Sequence, residues 1–257
     1  SPISPSPDSA ADGRGRASGS QDRSRLLRVR HVIVALVGDR HGGHAGDLYH
    51  RLVESGHEVT DPALPLDELA PDARFDVAID ACVVDRDRKS RALRSLANRL
   101  SPSAPILTCC HAASATASAH GLADPSRVVG YALLAPWKLQ TDDAYADTAS
   151  DFLTALGFDV VWVGDSAGLV MPRIVACLAN EAAFAVMEQV ADPEDVDRAM
   201  ELGTRYPRGP LTWAEEIGLP EIVAILDGLA AEQGEERYRA APLLRRMAQA
   251  RGGWARR

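Results

Sequence analysis

From Val32 onward the hydrophobic pattern switches repeatedly between two periods. HVIVALVG is apolar without interruption, the signature of a strand buried on both faces. A glycine-rich stretch follows, then LYHRLVESG with Leu48, Leu52 and Val53 at helical spacing, then HEVTD as a second strand. FDVAIDACVV over 75–84 reads as another buried strand, and 89–100 as an amphipathic helix with Leu93, Leu96 and Leu100 inward. PILTCC, RVVGYALL and DVVWVGD predict three more strands, with a helix over 144–156 between the last two. Strands alternating with helices at this interval predict a mainly parallel sheet covered by helices, an α/β architecture.

The pattern changes after Gly168. GLVMPRIVACLANEAAFAVMEQV is apolar nearly all round, which predicts a helix buried by other helices, a second subunit's included. Pro172 is compatible with such a helix only in its first turn. Asp192-Pro193-Glu194-Asp195 has the cap, proline and acids of a helix start, and Gly203 marks its end. Short helices over 213–217, 221–231 and 242–249 complete an all-α module.

Composition narrows the picture. The chain has 257 residues, 46% hydrophobic and 25% charged, as soluble globular proteins do. A net charge of −8 argues against nucleic-acid binding, which needs clustered positive charge. No apolar run reaches the roughly 20 residues of a membrane helix. Residues 1–27 hold few large aliphatics and read as a disordered tail without a signal-peptide core. Cys82, Cys109, Cys110 and Cys177 lie in apolar surroundings without a disulfide framework, consistent with a cytoplasmic protein.

Three groups of residues invite chemistry. The loop after the first strand, Gly38-Asp39-Arg40-His41-Gly42-Gly43-His44-Ala45, occupies the place where glycines admit a pyrophosphate to a helix amino terminus. With Gly42 and Ala45 as the second and third small positions of G-x-G-x-x-G/A, the first falls on Arg40, so the fingerprint is broken. Asp61 is the acidic residue nearest the ribose-binding place, and Asp39 adds negative charge near a phosphate. Packing glycines explain this loop more simply than a working dinucleotide seat. His41, His44 and His50 lack a fixed fourth ligand, and we assign no metal. Cys109-Cys110-His111 closes a strand, but Cys110 and His111 are neighbours and point to opposite faces, so the cysteines read as core.

Over DPEDVDRAMELGTRYPRGPLTWAEEIGL the sequence resembles the carboxy-terminal domain of the 3-hydroxyacyl-CoA dehydrogenase family. Asp195-Val196-Asp197, Ala199-Met200, Gly203, Pro207, Gly209-Pro210 and Ile217-Gly218-Leu219 carry the resemblance, with Gly168-Leu169-Val170, Arg173 and Asn180-Glu181-Ala182 upstream. Gly234 to Tyr238 and Pro242 to Arg245 are similar to the second, degenerate half of long tandem bacterial members. The resemblance implies a reduced Rossmann-like parallel sheet over 28–165 and a helical dimerisation domain over 166–257. It also implies NAD-linked oxidation of an L-3-hydroxyacyl-CoA, with a histidine base oriented by a carboxylate and Ser and Asn side chains on the substrate oxygen.

Carried over residue by residue, this chemistry is missing. The family's histidine corresponds to Ala132 and its asparagine to Pro172; no serine occupies the matching place between Cys109 and Ala113. Asp142 is a poor substitute for the carboxylate, and the short span from Asp61 to Asp76 omits a helical hairpin that contacts CoA. The expectation is therefore a catalytically degenerate member that pairs with itself or with an active dehydrogenase. Two alternatives stand beside it. One is an active enzyme using a displaced base, His111 or His120. The other is a non-catalytic nucleotide or acyl-CoA binder holding its ligand at Gly38, Gly42, Gly43, Ala45 and Asp61.

Overall fold

The computed structural model of the chain describes residues 31–38, 43–63, 68, 72–132, 137–138, 143–250 and 252–254. The tail over 1–27, Asp39 to Gly42 and Asp142 lie outside the described residues. Strands β1 (Ile33–Val37), β2 (Glu58–Val59), β3 (Val77–Asp80), β4 (Ile106–Cys109) and β5 (Val128–Tyr131) form one fully parallel sheet, ordered β2-β1-β3-β4-β5. Every residue of β3, β4 and β5 is buried, which is why these strands are apolar without alternation. Beyond β2 the Thr60 amide still donates to the Val34 carbonyl at 3.1 Å, while its hydroxyl bonds both the amide (3.0 Å) and the carbonyl (3.3 Å) of Leu36.

Helices cover both faces. On one, α1 (Gly43–Glu54) supplies Ala45, Leu48 and Leu52, and α4 (Asp143–Ala155) supplies Ala149, Phe152 and Leu153, against Val34, Leu36, Val77 and Ile79. On the other, α2 (Arg86–Ala97) and α3 (Ala115–Ala119) pack Ala92, Leu93, Leu96, Ala115 and Ala119 on Ala35, Val37, Ala78 and Ile106. The chain thus leaves β1 and β3 toward opposite faces and opens a crevice at their carboxyl ends, where α/β sheets bind ligands.

The structure revises the predicted elements in four places. β3 stops at Asp80 because its carboxylate turns back to accept the Cys82 amide at 3.0 Å, ending the ladder well before residue 84. α2 starts before residue 89 because Asp85 caps it, accepting from the Arg88 amide at 2.8 Å. The DVVWVGD segment does not join the main sheet: β7 (Val161–Trp162) pairs in parallel with β6 (Trp137–Lys138), and both β7 residues are exposed. The unanticipated α3 is held by Asp165, which accepts from the amides of Ala115 (2.8 Å) and Thr116 (2.9 Å).

The second half is helical: α5 (Met171–Met187), α6 (Pro193–Thr204), α7 (Pro210–Ile217), α8 (Leu219–Gln233) and α9 (Pro242–Ala250). Pro172 lies in the first turn of α5, as its missing amide requires. A stripe of Ala176, Ala179 and Ala183 on α5 lets Ile222, Ile225, Leu226 and Leu229 of α8 and Leu244 of α9 close into one core. Much of the apolar surface of α5 is thereby buried within the chain itself, while Ile174 stays exposed. No described helix is long and apolar enough to cross a membrane.

Candidate functional site

The carboxyl ends of β3, β4 and β5 gather an unusual density of buried polar groups. Asp80, the last residue of β3, is fully buried and forms an ion pair with Lys89 of α2, itself 5% exposed. Thr108 of β4 donates to the same carboxylate at 2.7 Å. The Lys89 ammonium also donates to the Cys109 carbonyl at 2.7 Å, and Tyr131 of β5 donates to the Asp80 carbonyl at 3.1 Å. Burial works against a charged Lys89, but Asp80 and the neighbouring thiols outweigh it, so its pKa is raised. The Lys89 cation therefore ties the ends of β3 and β4 together, and the Tyr131 hydroxyl adds β5.

Two residues beyond the end of β4 is His111. Its ring is buried and its Nδ1 contacts the Glu221 carboxylate, which comes from the first turn of α8 in the helical half. Burial disfavours the imidazolium. The neighbouring Cys109 and the Glu221 carboxylate overcome that and push the pKa up to about 10. Burial instead pushes the thiol of Cys82 up to about 12 and that of Cys110 well above its ordinary value. Imidazole and carboxylate are thus contributed by different halves of the chain.

The same junction is fastened around this contact. Gly168 donates to the Cys110 carbonyl at 2.7 Å, and Glu232 of α8 accepts from Ser166 (3.0 Å) and from the Ala167 amide. α8 crosses the β4–α3 loop at Gly228, where any Cβ would overlap the Ala112 carbonyl. Arg86 donates to that carbonyl at 2.9 Å, and Arg88 donates to the Gly38 carbonyl at 3.2 Å.

The residues anticipated from sequence separate into two sets. Gly38 ends β1 at the crevice, and a Cβ there would lie 2.9 Å from that of Ala45 and 3.1 Å from that of Ala81. This glycine allows α1 to pack on the strand ends. Ala45 is buried in that contact, Gly43 opens α1, and Gly42 lies outside the described residues. Asp61 follows β2 and accepts from the Ala63 amide at 3.0 Å. Ala132, just after β5, is fully buried, and Pro172 is buried in α5. His120 is exposed at the end of α3 and lies outside the His111–Glu221 contact. Among the described residues, no three His, Cys, Asp or Glu side chains are placed to hold a metal. Glu221, Lys89 and Asp80 were not anticipated as site residues.

Comparison with known proteins supplies the family. The model of the 3-hydroxyacyl-CoA dehydrogenase C-terminal domain matches residues 168–253. A probable 3-hydroxybutyryl-CoA dehydrogenase of Deinococcus radiodurans is 32% identical over 90% of this chain and 84% of its own length. The 3-hydroxybutyryl-CoA dehydrogenase of Bradyrhizobium diazoefficiens is 30% identical over 74% of this chain and 66% of its own. Among solved structures, (S)-3-hydroxybutyryl-CoA dehydrogenase from Ralstonia eutropha superposes with a TM-score of 0.62 at 24% identity, covering 80% of this chain and 79% of that one. The Escherichia coli 3-hydroxybutyryl-CoA dehydrogenase gives 0.68 at 21% identity, covering 88% of this chain and 60% of that one. These two likenesses concern the fold, a Rossmann-like sheet joined to a helical module.

Proposed function

The chain belongs to the 3-hydroxyacyl-CoA dehydrogenase family, and from that premise we propose that it is a cytoplasmic, self-pairing member that binds acyl-CoA but no longer oxidises it. The observation that carries this reading is the state of the proton acceptors. Oxidation of a hydroxyl needs a neutral base within hydrogen-bond reach. The family's base position holds the buried methyl group of Ala132. His111, the displaced candidate, keeps its proton up to about pH 10 through Cys109 and Glu221 despite its burial. At neutral pH it is an acid.

Pro172 likewise offers no donor where the family places an asparagine. The crevice itself suits a dinucleotide: Gly38 brings the start of α1 close to the strand ends, α1 has no acid in its first turn, and Arg88 adds a positive charge. NAD bound there would offer a hydride acceptor, and Gly38, Gly43 and Ala45 are the residues that would hold it. Self-pairing is supported by the outward Ile174 of α5 and Leu202 of α6, which are 47% and 65% exposed.

The test is NADH oxidation with acetoacetyl-CoA by the purified protein, with light scattering for its mass. Loss of a general base costs ~10²–10⁴ in rate, so the expected result is turnover far below 1 s⁻¹ and a dimer mass. Turnover above about 1 s⁻¹, inside the ordinary enzyme range, overturns the reading. A second reading, dehydrogenation with His111 acting from its new place, draws on the Glu221 contact. Turnover that vanishes in His111→Asn establishes it.

A further inference from the structure

The positions that match the family's reacting groups are closed to solvent. Ala132 and Cys110 are fully buried, His111 and Ala112 nearly so, and Pro172 is buried in the first turn of α5. α8 lies against the Ala112 carbonyl at Gly228, and Leu169 packs in one core cluster with Ala132 and Cys110. An acyl group reaches this place only after the helical half has withdrawn. We infer that the helical half is a lid over the ends of β4 and β5, hinged at Gly168 and Leu169 and latched by the contact of His111 with Glu221. The ligand that the lid admits rests on the acyl-CoA reading above; the lid itself rests on the junction.

The hinge is strained in the closed form. The chain enters the helical half through Gly168 (φ 74°) and Leu169 (φ 43°), both in the left-handed region. Glycine adopts that conformation freely, whereas the Cβ of a leucine is crowded there. Leu169 is held in it by burial of its side chain in the core of the sheet half, while Ala167, two residues earlier, packs in the core of the helical half. Withdrawal of Leu169 releases its backbone, so strain favours opening and a closed junction needs contacts that oppose it.

Those contacts are polar. Glu221, in the first turn of α8, meets His111 across 110 positions of sequence. Gly168 donates to the Cys110 carbonyl at 2.7 Å, and Glu232 accepts from the Ser166 hydroxyl and the Ala167 amide. Water can replace each of these partners in an open form. The apolar cores impose no such tie. Among the described residues, two clusters belong to the sheet half with Leu169, and the third holds Ala167 and the helices. The halves can therefore part without either core unfolding. Of the junction contacts, the His111–Glu221 pair lies deepest over the matched positions, and its loss leaves α8 resting on the Ala112 carbonyl without a polar hold at its first turn.

The experiment labels the full chain with iodoacetamide, maps each cysteine over time by mass spectrometry, and measures 3-hydroxybutyryl-CoA binding by calorimetry. In the unaltered protein, urea should speed labelling of Cys110 with a shallower slope than that of global unfolding, as a partial opening does. Glu221→Ala should speed Cys110 labelling by ~10-fold or more, the worth of one hydrogen bond to a charged group. Gly228→Ala, which wedges α8 from the Ala112 carbonyl, should act in the same direction, and Cys82 should keep its rate in both variants. A ligand that needs the open form gains affinity as that form is populated, so Glu221→Ala should bind 3-hydroxybutyryl-CoA more tightly than the unaltered chain. Unchanged Cys110 labelling, or an equal rise at Cys82, overturns the latch. A urea slope equal to that of global unfolding overturns the inference even where a variant misfolds. Equal affinity of the two proteins overturns the lid, and no binding by either overturns the acyl-CoA reading while the labelling still decides the latch.

Discussion

Replacing Lys89 by methionine tests whether the buried pair with Asp80 holds the strand ends. Methionine keeps much of the lysine stem's apolar packing, so the perturbation is mainly the loss of the ammonium. What remains around the fully buried carboxylate is the Thr108 hydroxyl at 2.7 Å and the Cys82 amide at 3.0 Å. The Cys109 carbonyl loses its 2.7 Å donor as well. Removing one partner of a buried pair costs ~3–5 kcal/mol, because an uncompensated charge stays behind. In a chain of this size that corresponds to a Tm drop of roughly 6–20 °C. Urea unfolding should show a lower midpoint with an unchanged slope. Adding Asp80→Asn to Lys89→Met should recover most of the loss, since a neutral amide carries a far smaller desolvation penalty. A single-variant cost under about 1 kcal/mol, or a double variant weaker than Lys89→Met, refutes the assignment.

The His111 pKa stands above its unfolded value of 6.5, so its stabilising contribution is complete below pH 6.5 and is lost as pH rises through about 10. Urea midpoints should fall across that window by the equivalent of a few kcal/mol more in the wild type than in His111→Asn; parallel curves would dismiss the ion pair. Gly228→Val should cost ~1–3 kcal/mol, because its side chain overlaps the Ala112 carbonyl. Hydrogen exchange should then rise over 112–116, and unchanged protection would contradict the α8 contact. Asp197→Ala removes bonds to the Leu211 amide (2.8 Å), the Thr212 amide (2.9 Å) and the Thr212 hydroxyl (2.7 Å), costing ~1–2 kcal/mol. The exposed Asp195→Ala should stay within about 0.5 kcal/mol, and equal losses would deny Asp197 its capping role.

How far the fold was legible in the sequence follows from burial. β1, β3, β4 and β5 are enclosed on both faces, so their continuous apolar runs stand out, and proline starts mark α6 and the first turn of α5. β7 could not be placed, because its pairing depends on β6 and its two side chains are exposed. α3, built from ATASA, has too little amphipathic contrast to register and depends on Asp165 from distant sequence. Glu221 was invisible for the same reason: its partner is far along the chain, and an acid in the first turn of a helix is ordinary.

Two signals in the site were nevertheless present in the hydrophobic pattern as misfits. Lys89 stands four residues before Leu93 and seven before Leu96, on the face that α2 buries. Asp80 interrupts an apolar run whose neighbours are all buried. A charge in either position is tolerable only beside an opposite one, so the two together imply the pair that the structure contains. The same reasoning applies to His111, which follows a fully buried strand and therefore requires partners. The proposed loss of the family's base and asparagine, at Ala132 and Pro172, and the contact of His111 with Glu221 are thus read from different kinds of information. The first is substitution at matched positions; the second is burial of groups that cannot be buried alone.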